Sequence, residues 1–232
     1  MKILGIDTSA VTASCALCEV DEETRVIASG SLHTDQVHSK TLIPFMEAML
    51  KGAGASLSSV DAFAVSVGPG SFTGLRIGVS AVKGMAYALG KPCRAVSSLL
   101  GLACHFTVTD ALVCAVMDAR CRQVYNALFR VSDGKIERLC EDRALSIDAL
   151  GEELEQYNEK IILAGDGAAL VYHALGEKFT LAPPMLRYQS GIGVCLAAEH
   201  SPDTAADALM PMYLRLPQAE RERLAKKGSA ER

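Results

Sequence analysis

The chain has 232 residues, enough for one large domain or two small ones, and half of them are hydrophobic, so a sizeable core is available. Aromatics are only 5%, Trp is absent and the net charge is −4, which argues against a protein that binds nucleic acid by itself through a broad basic face. The eight cysteines lie in apolar stretches without framework spacing. Cys15 and Cys18, the one Cys-x-x-Cys, fall in a predicted strand where residues three apart face opposite ways, so small buried thiols in a reducing cytoplasm are expected. No signal peptide and no membrane-spanning apolar run is read.

Residues 2–7, 13–20 and 25–32 read as three strands joined by tight turns, an antiparallel meander whose first strand ends in Asp7. Residues 37–51 carry Leu42, Ile43, Phe45, Met46, Met49 and Leu50 at helical spacing, with Pro44 near the start and Gly52 and Gly54 as stops. A strand at 62–67, a glycine-rich loop, a helix at 79–89 rich in small residues, a strand at 92–96 and a helix at 97–106 complete a βββαβαβα order. The outline then repeats. Strands at 111–117 (ending beside Asp118), 123–131 and 136–140 precede a helix at 146–157, a strand at 160–164, a turn Gly165-Asp166-Gly167 and helices at 168–175 and 191–200.

Such a duplication predicts an α/β protein of the actin-like ATPase and sugar-kinase superfold, in which two halves clamp a nucleotide. The expected division is a first subdomain at 1–106, a reduced second one at 107–217 and a charged tail at 218–232. The place of the superfold's phosphate loop reads Asp7-Thr8-Ser9-Ala10, without a glycine after the aspartate, which hampers backbone approach to a phosphate. Autonomous ATPase activity is expected to be weak or absent. Asp7 and Asp118 end corresponding strands and could face one cleft, holding a metal or merely capping turns; capping is the expectation.

The loop Gly68-Pro69-Gly70-Ser71-Phe72-Thr73-Gly74-Leu75-Arg76-Ile77-Gly78 joins a strand to a helix. Its glycines allow unusual backbone angles, and Ser71 or Thr73 can cap the helix that follows. It matches neither the Walker A nor the dinucleotide fingerprint. It reads either as a tight connection or as an anion or partner site at a helix N-terminus. Asp7, Thr8, Ser9, Gly70 and Ser71 are the candidate nucleotide or anion contacts. His38 has Leu42 four residues on, so no helical His pair for a metal exists, and the histidine is expected to cap or pack the helix start. No Gly-x-Ser-x-Gly elbow is present.

Six stretches together are similar to the TsaB (YeaZ-like) family. They are Ile3-Leu4-Gly5-Ile6-Asp7-Thr8-Ser9, His38-Ser39 with Leu42 and Pro44, the eleven-residue loop, Met117-Asp118-Ala119-Arg120 with Val124-Tyr125, Gly165-Asp166-Gly167, and Pro211-Met212-Tyr213-Leu214-Arg215. The resemblance implies a non-catalytic, cytoplasmic subunit of the machinery that makes threonylcarbamoyladenosine 3′ of the anticodon in tRNAs reading codons that begin with A. It further implies a TsaD-like catalytic partner, a TsaE-like ATPase, tRNA reached only through the complex, and a homodimer when alone. It implies no catalytic residue, metal or cofactor of its own; ATP or ADP would sit at the complex interface if anywhere. The partner face expected from the two helices of the first subdomain comprises His38, Leu42, Phe45, Met46, Met49, Gly74, Ile77, Gly78, Ala81 and Met85. The alternatives are a nucleotide-dependent kinase or ATPase of the same superfold and a metallopeptidase.

Overall fold

The computed structural model describes residues 1–34 and 37–215. The first half holds β1 (Lys2–Asp7), β2 (Thr12–Glu19), β3 (Arg25–His33), α1 (His38–Gly52), β4 (Ala62–Gly68), α2 (Phe72–Leu89), β5 (Cys93–Ser97) and α3 (Ser98–Ala103). The second holds β6 (Ala111–Asp118), β7 (Gln123–Ser132), β8 (Lys135–Arg138), β9 (Arg143–Ser146), α4 (Ile147–Leu154), β10 (Ile161–Ala164), α5 (Ala168–Ala174), β11 (Thr180–Leu181), α6 (Pro184–Arg187), α7 (Gly191–Ala198) and β12 (Asp203–Thr204).

These strands build two six-stranded sheets, one ordered β12-β5-β4-β1-β2-β3, the other β11-β10-β6-β7-β8 with β9 also on β7. In the first, β1 runs antiparallel to β2 with Asp7 opposite Ser14, and parallel to β4 with Ile6 opposite Val65. In the second, β6 repeats the arrangement, with Asp118 opposite Val124 on β7 and Ala115 opposite Ala164 on β10. The central strands are apolar over most of their length because both sheet faces are covered, with Asp7, Ser66 and Asp118 at or near their carboxyl ends. The fold is the expected α/β actin-like duplication.

The layers follow from which residues share a core. Leu4, Ile6, Phe63 and Val65 meet Leu42, Met46, Val79 and Val82, so α1 and α2 cover one face of the first sheet. Ile3, Ala16 and Val96 meet Val194 and Cys195 of α7 on the other face. Leu99 and Leu102 of α3 pack with Val113 and Phe129 of the second sheet, whose far face meets Leu150 of α4 and Val171 of α5. Burying each large aliphatic or aromatic side chain contributes roughly 1.5–3 kcal/mol.

Several expectations change. Helix α2 begins at Phe72, not at 79, so most of the glycine-rich loop is helix; Ser71 starts it by accepting the Gly74 N–H at 3.2 Å. The third strand of the second meander is shorter than 136–140, and β9 returns to pair with β7 beyond it. A cut at 106/107 separates the two sheets only in part. Helix α7 lies against β1 and β2, and β12 joins the first sheet beside β5, so residues of the later half complete the earlier one. The predicted tail at 218–232 lies outside the described residues.

Candidate functional site

The site grows from the ends of β1, β4 and β6, where two lobes face each other across a cleft. At the first end, Asp7 is 2% exposed. Its Oδ1 accepts from the Ser9 N–H at 2.8 Å and the Ser9 hydroxyl at 2.7 Å, and its Oδ2 accepts from the Ser66 hydroxyl. Burial raises its pKa, opposed by these hydrogen bonds and by His38. Thr8 Oγ1 donates to the Gly74 carbonyl at 2.8 Å. A Cβ on Gly74 would lie 2.0 Å from the Thr8 carbonyl oxygen, and one on Gly78 2.4 Å from Thr8 Oγ1. The glycines of α2 therefore let the helix press on the turn after β1. Likewise a Cβ on Gly70 would lie 2.4 Å from the Ser9 carbonyl oxygen, which also accepts the Ser71 N–H at 2.7 Å.

The structure thus divides the candidate nucleotide and anion contacts. Ser9, Gly70 and Ser71 line the cleft, which has a volume of about 440 Å³. Asp7 and Thr8 do not line it, because their polar atoms are committed to Ser9, Ser66 and Gly74. The amide donors at the start of α2 are also partly used: Gly74 N–H goes to Ser71 Oγ and Leu75 N–H to the Ser71 carbonyl.

Across the cleft, Asp118 accepts from the Arg120 N–H at 2.7 Å and from its guanidinium at 3.2 Å. Both Asp7 and Asp118 thus accept an N–H two residues on, the Asx-turn arrangement. Only Asp118 faces the cleft, and it is joined there by Arg120, Tyr125 and Asp166. Burial pushes Asp166 up to about 6, against the pull of the Gln189 amide that donates to it at 2.9 Å, and the Asp118 charge pushes the same way. Sequence reasoning gave Arg120 and Asp166 no role. The available signal was positional, since Asp118 repeats Asp7 and Gly165-Asp166-Gly167 repeats the turn after β4. No group of three or more His, Cys, Asp or Glu side chains suited to a metal occurs among the described residues. His38, at the first residue of α1, bonds the Ala10 carbonyl through Nε2 at 2.8 Å and so packs the helix start.

The expected partner face separates in the same way. Leu42 and Met46 are each 1% exposed and belong to the core under α1. Gly74 and Gly78 are buried against Thr8. These four residues are not on the surface of the chain: the inner stripe of each helix is consumed by the sheet and the first turn. Phe45, Met49, Ile77, Ala81 and Met85 are half-buried at the rim of that core and lie on two helices in contact. Phe45 is partly occupied by β3, since a Cβ on Gly30 would lie 2.6 Å from its ring. Ile43 on α1 and Tyr87 on α2 are exposed, and neither was expected there.

Residues 32–221 match the family described as TsaD, tRNA N6-adenosine threonylcarbamoyltransferase. The tRNA threonylcarbamoyladenosine biosynthesis protein TsaB of Bacillus subtilis is 32% identical over 95% of this chain and 96% of its own. The TsaB protein of Escherichia coli is 31% identical over 72% of each chain. Among solved structures, YeaZ of Pseudomonas aeruginosa superposes with a TM-score of 0.74 at 27% identity, over 92% of this chain and 99% of that one. A second P. aeruginosa structure, described as similar to peptidase YeaZ, gives 0.77 at 28% identity over the same shares. The likeness runs along nearly the whole chain, and the chain belongs to the TsaB (YeaZ-like) family.

Proposed function

We propose that this chain serves tRNA threonylcarbamoyladenosine biosynthesis as a supporting subunit that docks a TsaD-like catalytic subunit through α1 and α2. The observation that carries the reading is the half-buried apolar set Phe45, Met49, Ile77, Ala81 and Met85 on two adjacent helices, with exposed Ile43 and Tyr87 on the same helices. Such a face is satisfied by a second copy when the chain is alone and by the catalytic relative when it is present. The commitment of Asp7, Thr8 and His38 to internal bonds supports a role without catalysis of its own. In this reading a TsaE-like ATPase joins the pair, ATP or ADP would bind at the complex interface, and tRNA is met only through the assembly. The modified base is then the adenosine 3′ of the anticodon in tRNAs for codons beginning with A, and the setting is the cytoplasm. No helix among the described residues is long and apolar enough to cross a membrane.

Ala81→Glu tests this. The charge would be buried without a partner in either association and should weaken both by about 2–5 kcal/mol. Sedimentation of the variant, alone and mixed with the organism's TsaD-like subunit, reads both. A variant that becomes monomeric yet binds the partner with unchanged affinity refutes the shared face. One that changes neither association refutes docking through α1 and α2.

The acid pair in the cleft favours a second reading, a nucleotide-dependent activity of the isolated chain. Sustained ATP hydrolysis by the pure protein, lost in Asp118→Ala, would establish it.

A further inference from the structure

Residues 211–215 form neither helix nor strand, yet they are tied at successive positions. Met212 N–H donates to the Val67 carbonyl at 2.7 Å, at the end of β4. The Met212 carbonyl oxygen lies 2.3 Å from where a Cβ on Gly68 would be, and Gly68 has φ +139, so only glycine fits under the segment. The Tyr213 ring stacks on Phe72 with centroids 4.5 Å apart and planes 27° from parallel. Tyr213 Oη accepts from Arg76 Nε at 3.0 Å, and the Arg76 guanidinium lies 4.0 Å over the Phe72 ring. Arg215 then reaches the other lobe, donating to the Ala119 carbonyl at 2.8 Å in the turn after β6.

Residues 212–215 all line the cleft, and they run from the first lobe to the second. We propose that residues 212–215 are a latch that fixes the width of the cleft, with the Phe72–Tyr213–Arg76 stack as its lock and Arg215 as its bolt. The lobes have another joint, and its nature gives the latch its meaning. Helices α3 and α7 pack against each other between the sheets, and Ser97 donates at 2.6 Å to Asp142, whose side chain is only 6% exposed and is also held by Arg138 at 2.6 Å. That joint is buried and persists. The latch is built from partly exposed, individually weak contacts: Met212 is 42% exposed and Tyr213 39%. Contacts of that kind open locally at far lower cost than a core. Releasing Arg215 or Tyr213 leaves both cores intact and lets the lobes part. The width of the cleft beside Asp118 and Asp166 is then set by these four residues.

The test measures the distance between the lobes directly. One spin label goes on Cys121, exposed in the turn after β6, and one on Ser58→Cys, exposed in the first lobe, with half-buried Cys140 replaced by Ser. Labelled chain is diluted with unlabelled chain so that only distances within one molecule are read. Arg215→Ala and Tyr213→Ala should broaden and lengthen the distribution, and Arg215→Lys should largely restore it. Hydrogen exchange of Met212 N–H should rise at least about tenfold in Tyr213→Ala and less in Tyr213→Phe, which keeps the ring stack. Distributions unchanged in both alanine variants overturn the latch, even if Met212 N–H exchanges faster, because the segment would then be packing without holding anything shut.

Discussion

Asp7 and Asp118 hold the same place in the two halves, and they have come to opposite uses. Each ends the strand that pairs antiparallel with its successor and parallel with a later strand. Each accepts the N–H two residues on, from Ser9 at 2.8 Å and from Arg120 at 2.7 Å. Around Asp7 the glycine face of α2 closes in, Ser66 adds its hydroxyl, and nothing of the carboxylate is left for a ligand. Around Asp118 no serine hydroxyl adds its bond, the side chain is 27% exposed, and its charge is met by an arginine that itself borders the cleft. A repeated turn keeps its backbone geometry; the hydroxyls that close over the carboxylate, or their absence, decide whether its acid belongs to the structure or to the solvent.

The sharpest way to break this comparison is to move the helices away. Gly74→Ala would place a Cβ 2.0 Å from the Thr8 carbonyl oxygen, and Gly165→Ala one 1.9 Å from the Val116 carbonyl oxygen at φ +112. In each case backbone must shift, and the expected cost is about 3–5 kcal/mol, read as a lowered midpoint in urea unfolding. A loss under about 1 kcal/mol at Gly74 would mean that the first turn is not held by close approach.

A smaller effect separates the aspartates themselves. Asp7→Ala leaves the Ser9 N–H, the Ser9 hydroxyl and the Ser66 hydroxyl without their acceptor inside the protein and should cost about 3 kcal/mol. Asp118→Ala removes an exposed pair and should cost less than about 1 kcal/mol. Equal losses in denaturant titrations would erase the difference between the halves.

A further effect has the opposite sign. Asp166 has a folded-state pKa of about 6 against an ordinary 3.8, because burial disfavours its charge. Below the ordinary value both folded and unfolded chains hold the proton and nothing is lost. As pH rises from there through the folded value, the unfolded chain ionises more readily, and stability falls. Asp166→Asn keeps an acceptor for Gln189 and removes the charge, so it should stabilise the protein at pH 7 by about 1–3 kcal/mol, with the gain vanishing below about pH 4. Urea midpoints across that range check it; a gain independent of pH would assign the effect to packing.

The sequence disclosed the strands because both faces of each central strand are buried, which leaves runs such as Ala62–Gly68 apolar but for Ser66. It disclosed the duplication because the turn aspartates and the meanders recur. It misjudged the start of α2, since Gly74 and Gly78 suggest a loop to any local rule, while the close approach of Thr8 that requires them is invisible in the chain. For the same reason those glycines, with Leu42 and Met46, were placed on an outer face: helical spacing defines a stripe without saying which side meets the sheet. The two-residue strands β11 and β12 carry no period to detect, and β12 owes its existence to β5. Arg120 and Asp166 became visible as cleft residues only once the lobes were brought together.

Helix α7 has a consequence for the order in which the protein can be made. Its Gly191 N–H donates to Ser14 Oγ at 2.9 Å across 177 positions, and a Cβ on Gly191 would lie 2.4 Å from the Ala16 nitrogen. While the ribosome is still short of residue 191, the strands β1 and β2 are already outside it, with the face that α7 will cover bare. The intervening second sheet is contiguous in sequence and can close first. The amino-terminal lobe, emerging earliest, is the last to be finished, and it waits through most of synthesis with Ile3 and Ala16 open to whatever apolar surface the cell presents.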